Sequence, residues 1–115
     1  MKYEEAHRTP SHRLEEAVAV GQKLAILRKA MKMTQAEAAA RAGVSRSTAV
    51  LIEAGDPSRT LAQVLRYLDA IASNTSLLAL LSGDVPALRL AQAQSIPKRV
   101  RTSAADRNKA AEYDF

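Results

Sequence analysis

The stretch Thr34–Gly55 reads TQAEAAARAGVSRSTAVLIEAG, and its punctuation decides the fold. It holds two helix-start signals eleven residues apart, at Thr34 and Ser45, with Gly43 between them. Thr34 and Glu37 form a T-x-x-E capping box, in which a hydroxyl and a carboxylate each satisfy a backbone N–H that a helix start leaves without a partner. The helix so opened is predicted to run to about Ala42 and to stop at Gly43, where a positive φ carries no steric cost. Ser45 then caps a further helix over roughly 46–54, ended by Gly55.

Working outward, Leu14, Ala17, Val18, Gly21, Leu24, Ala25, Leu27 and Met31 recur at spacings of three and four. They predict one long helix from about Pro10 to Met31. Thr9 or Ser11 can cap it, and Pro10 is tolerated in a first turn. Gly21 costs about 1 kcal/mol relative to alanine in a helix interior, so either the helix weakens there or another backbone approaches. Downstream, GDPSR at 55–59 reads as a turn. Thr60 caps a helix over 61–72 with the apolar stripe Leu61, Val64, Leu65, Leu68 and Ile71. The run LLALL at 77–81 fits a helix or a strand, and its poor strand formers favour a helical turn or two. A short helix can follow over 86–94. From Ser95 onward charge is clustered and large apolar groups are few, which predicts a mobile tail. The division is then a disordered start at 1–10, a domain with a dimerisation segment at 11–82, and a largely flexible extension at 83–115.

The totals bound the class. A chain of 115 residues makes one small domain, which buries a modest fraction of its surface and gains from a partner subunit. Hydrophobic residues reach 47%, but aromatics only 3%, which points to close-packed short helices. There is no cysteine, hence no disulfide framework and no thiolate metal site. No apolar run has the roughly 18 residues of a membrane span, and MKYEEAHRTP is polar where a signal peptide is apolar. A cytoplasmic protein is the default. The only histidines, His7 and His12, stand near the start. With no metal-ligand spacing, no glycine-rich phosphate loop and no nucleophile paired with a base, neither catalysis nor a cofactor or metal is expected.

The net charge of +5 and pI of about 9.9 suit an anionic partner, nucleic acid above all, or simply keep the chain in solution. Its distribution says more. Residues 1–33 carry seven Lys/Arg against four acids, 34–73 four against four, and 74–115 six against four. The positive field therefore comes from what flanks a neutral middle.

A short helix, a tight glycine-containing turn and a second short helix are the sequence form of a helix-turn-helix. The second helix of such a unit enters the major groove of DNA by its N-terminal end. In SRST, Ser45 caps while Arg46 and Ser47 project from the first turn. Arginine can donate a bidentate pair to guanine, and serine serves several bases.

Residues 21–72 resemble the XRE/Cro-C1 family of bacterial and phage regulators. LAILRKAMKMTQAEAAARAGVSRSTAVLIEAG and the following TLAQVLRYLDAI carry the likeness. The resemblance implies an all-α, lambda-repressor-like domain of four to five helices with a flexible basic C-terminal tail. It implies a regulator, usually a repressor, that binds double-stranded DNA as a two-fold homodimer on a palindromic operator, located in the bacterial cytoplasm at the nucleoid. By position, Arg46, Ser47 and Val50 should face bases. Thr34, Gln35 and Ser45 should meet phosphates or adjoining base edges, and Ser58, Arg59 and Thr60 the backbone. Arg28 and Glu53 match a buried ion pair tying the first long helix to the end of the recognition helix. Ala38 and Ala49 depart from the larger aliphatic residues usual there, so the core is thinner or Met31, Met33 and Leu51 fill it. Val50 can touch a thymine methyl or simply pack.

The segment PSRTL…Q.LRYLDAI, followed by a leucine run and a basic tail, also resembles HipB-type antitoxins. These repress their own operon and bind a HipA-type kinase toxin, and their post-helix segment forms a dimerising strand. A stand-alone repressor without a toxin is the alternative. Leu68, Ile71, Leu77, Leu78, Leu80 and Leu81 offer a dimer interface, or they close the monomer core. Lys98, Arg99 and Arg101 in the tail can lie along DNA phosphates, dock on a toxin or solvate the chain.

Overall fold

The computed structural model describes residues 3–86 together with 89, 90 and 93. Among the described residues all regular structure is helical: α1 (Tyr3–Arg8), α2 (Ser11–Ala30), α3 (Gln35–Ala42), α4 (Arg46–Ala54), α5 (Leu61–Ile71) and α6 (Leu77–Ser82).

Side-chain caps start four of the six. The Thr34 hydroxyl accepts from the Glu37 N–H at 3.1 Å while the Glu37 carboxylate accepts from the Thr34 N–H at 2.8 Å. Thr60 and Gln63 repeat this reciprocal box at α5. Ser45 opens α4, and Ser76 opens α6 by accepting from the Ala79 N–H. Gly43 and Gly55 end α3 and α4 in the left-handed region, at φ 72° and 78°.

Two outcomes differ from expectation. The sequence predicts disorder over 1–10, whereas Tyr3–Arg8 forms α1, which ends with His7 and Arg8 where cations suit the helix dipole. The described side chains of that helix are exposed, so it stands on local propensity rather than packing. Second, neither Thr9 nor Ser11 caps α2. Pro10 takes the capping position, and the Thr9 hydroxyl instead donates to the Glu5 carbonyl. Of the two states open to the leucine run, Leu77–Ser82 takes the favoured helix and not the strand, because Ser76 caps it and Gly83 closes it. The domain at 11–82 holds five helices, α2 to α6, within the four to five implied, and α1 precedes it. Within 86–94, Pro86, Arg89, Leu90 and Ala93 have helical backbone.

The core joins Leu24 and Leu27 of α2, Ala38, Ala39 and Ala42 of α3, Ala49 and Ile52 of α4, and Tyr67, Leu68 and Ile71 of α5 with Leu80 and Val85. Ala38 and Ala49 are fully buried. Met31 and Leu51 do not fill in for them, since both are exposed; Met33 packs against the core. The largest fully buried side chain is Tyr67. Small residues also let backbones touch. A Cβ on Gly21 would lie 2.5 Å from the Glu53 carbonyl oxygen, and one on Gly55 2.5 Å from the Ala17 carbonyl oxygen. Another backbone does approach Gly21, and α2 stays continuous through it.

Candidate nucleic-acid interface

The start of α4 is a hydroxyl cluster. Ser45 Oγ accepts from the Thr48 N–H at 3.0 Å and donates to Thr48 Oγ1 at 2.9 Å, with Ser47 Oγ 3.1 Å away. Around it Arg46, Ser47 and Val50 are exposed. This leaves the first turn of α4 with its cap satisfied and its side chains directed to solvent, the condition for reading an external surface.

The start of α3 is built likewise. Thr34 is exposed and capped by Glu37. The hydrogen bond from the Thr34 backbone, with that from its hydroxyl, holds the Glu37 carboxyl below its ordinary range. Gln35 is turned the other way: its side-chain amide donates to Glu53 Oε1 at 3.0 Å.

Before α5, Asp56 accepts from the Ser58 N–H at 2.8 Å, and Asp56 Oδ2 lies 4.0 Å from Arg59 Nε. That distance is an ion contact and not a hydrogen bond, and Arg59 Nε is buried without a hydrogen-bond partner. Thr60 serves its own capping box. Lys98, Arg99 and Arg101 lie outside the described residues.

Behind α4 sits one buried carboxylate. Arg28 grips Glu53 bidentately, Nε to Oε2 at 2.6 Å and Nη2 to Oε1 at 3.1 Å, and donates from Nη1 to the Met33 carbonyl at 2.9 Å. Tyr67 donates its hydroxyl to Glu53 Oε2 at 2.5 Å. With Gln35, three helices thus place donors on one carboxylate of a fourth. The bond to Glu53 holds the Arg28 guanidinium above its ordinary value against the opposing effect of burial. Burial first, and the bond to Glu53 second, push the Tyr67 phenol well above the usual tyrosine range. Removing one partner of such a buried pair costs about 3–5 kcal/mol, because the other charge is left uncompensated.

The hub roles of Tyr67 and Gln35 were missed from sequence. One signal was present: a tyrosine within an aliphatic helix needs a partner for its hydroxyl when buried. Of the leucine and isoleucine positions expected at a dimer interface, Leu68, Ile71 and Leu80 are buried in the chain's own core. Leu77 packs partly against that core. Leu78 and Leu81 remain outside, 79% and 42% exposed. The reason is helical periodicity: with α6 a helix, residues 77–81 divide between two faces instead of presenting one edge.

Two short capped helices joined across a left-handed glycine, the second with a solvent-facing start, define a helix-turn-helix protein. A family model described as a helix-turn-helix domain matches residues 19–81, more than half of the chain. The chain belongs to that family, which implies DNA binding and is typically non-enzymatic. No curated protein and no solved structure matches it significantly. No described helix is long and apolar enough to cross a membrane.

Proposed function

We propose that the chain is a sequence-specific DNA-binding transcriptional regulator: a dimeric autorepressor with the role of a HipB-like antitoxin. One observation carries the DNA reading. The exposed, self-capped tip of α4 bears Arg46, Ser47 and Val50, while the other end of α4 is clamped through buried Glu53. In this reading Arg46 pairs with a guanine, Ser47 bonds a neighbouring base edge and Val50 lies on a thymine methyl. The N-terminal ends of α3 and α5, with Thr34, Ser58, Arg59 and Thr60, meet phosphates, as does the α4 cap Ser45, since free N–H groups and the helix dipole favour anions. Lys98, Arg99 and Arg101 follow the backbone. Two copies sit on a palindromic operator about one helical turn apart. Leu78 and Leu81 supply the apolar surface for pairing.

The likeness of the α5 segment to HipB-type antitoxins supports a HipA-like kinase as toxin partner. The helical state of 77–82 favours a second reading, a stand-alone repressor, because the antitoxin archetype forms a strand there. Footprinting on the protein's own promoter, with co-purification against the product of the neighbouring gene, tests both. A protected palindrome with a stable kinase complex supports the antitoxin. Protection without a complex leaves the stand-alone repressor. No protection on its own promoter removes autorepression.

A further inference from the structure

We infer that Gln35 and Tyr67 are positioning residues for DNA reading: through the Glu53 carboxylate they hold α4 at the angle its tip needs. The inference rests on the DNA-binding reading above and adds to the Arg28–Glu53 pair two residues from other helices.

Glu53 stands one residue before the end of α4, and Arg46 begins that helix. Seven residues at 1.5 Å each separate them by about 10 Å along the axis. A tilt of about 10° at the Glu53 end therefore moves the tip by about 2 Å. Bidentate bonds to a base edge do not survive such a shift, since their distances vary by only about 0.5 Å. The Glu53 end of α4 thus governs the reading end, and Arg28 alone fixes Glu53 only against α2.

Gln35 opens α3, and its bond to Glu53 Oε1 joins the start of the first helix of the motif to the end of the second. This bond spans the motif on the side opposite the Gly43 turn, so it closes a loop whose other side is the turn itself. Tyr67 lies on α5 with no solvent exposure, and its hydroxyl occupies the other carboxylate oxygen. The ring fixes where that hydroxyl stands, because a fully buried side chain has no room to follow a moving acceptor. Each oxygen of Glu53 is thereby held by Arg28 and by one of these two residues.

The test uses the full chain and the duplex it prefers, selected from a random pool with the wild type. Affinities for that duplex and for a scrambled one are measured at fixed salt for wild type, Tyr67→Phe, Gln35→Met and the double variant. Thermal melts verify that each is folded at the assay temperature. Phenylalanine keeps the ring and methionine keeps the bulk, so each removes only the donor. Each single change is expected to lower the ratio of preferred to scrambled affinity about fivefold, about one lost hydrogen bond's worth. Binding to the scrambled duplex should stay within about twofold of wild type. The double variant should depart from the product of the singles, as residues sharing a partner do. An unchanged ratio in folded Tyr67→Phe, or an equal loss on both duplexes in Gln35→Met, overturns the inference. A wild type that prefers no duplex sinks instead the DNA-binding reading beneath it.

Discussion

Gly21 of α2 lies so close to Glu53 of α4 that a Cβ on the glycine would stand 2.5 Å from the Glu53 carbonyl oxygen. The next nearest atoms are also backbone, so no flexible side chain can yield. Gly21→Ala should therefore destabilise the domain. Overpacking costs about 1–3 kcal/mol, partly offset by the gain of about 1 kcal/mol in helix propensity. Gly55→Ala should cost more, because a Cβ there meets Ala17 and Val18 backbone and φ is 78°. Urea melts of the two variants check the sign and the order.

At the other end of α2 the relation reverses. Lys32 is exposed and holds φ 59°, a conformation that costs an L-residue about 1–2 kcal/mol and glycine little. The turn is fixed by the Met33 N–H donating to the Arg28 carbonyl at 3.2 Å. Lys32→Gly should stabilise the domain by about 0.5 kcal/mol, after subtracting the extra freedom that glycine gives the unfolded chain. A raised melting temperature supports this; a lowered one contradicts it.

Two side chains should leave pH signatures of opposite sense. The Glu37 carboxyl is held low by Thr34, so its contribution is present above the unfolded glutamate value and is lost as pH falls through the folded one. The protection factor of the Thr34 amide should fall as pH drops through that folded value, and Glu37→Gln, which can still cap, should flatten that response. The Tyr67 phenol is held high, so its contribution is complete below about pH 10, the ordinary tyrosine value, and is lost as pH rises through the folded value. Alkaline unfolding should lose steepness in Tyr67→Phe. An unchanged alkaline limb would remove Tyr67 as its source.

The leucine run separates into two predictions. Leu80 is fully buried, so Leu80→Glu should unfold the domain, as a charge buried without a partner does. Leu78→Glu changes an exposed position. It should leave helix content and melting temperature intact while converting the proposed dimer to a monomer by sedimentation. A Leu78→Glu dimer of unchanged affinity would place the pairing surface elsewhere.

What the sequence made legible follows from range. The starts at Thr34, Ser45 and Thr60 and the stops at Gly43 and Gly55 depend on residues three or four apart, and all five stand where spacing predicts them. Periodicity likewise marked Leu24, Ala25 and Leu27 as buried. Tyr67 and Gln35 lie 14 and 18 residues from Glu53 along the chain, and no local pattern reports their bonds to it. The Thr60 side of α5 shows the same limit. Leu61 and Leu65 belong to its apolar stripe yet are exposed, because the helix packs through Tyr67, Leu68 and Ile71.

Base reading by the tip of α4 stands or falls with Arg46. Binding of Arg46→Ala to the wild type's preferred duplex and to a scrambled duplex should be compared by gel shift at one salt concentration. A loss of about 1–3 kcal/mol on the preferred duplex is expected, with relaxed preference at one base and little change on the scrambled one. An equal loss on both duplexes, or none on either, would contradict it.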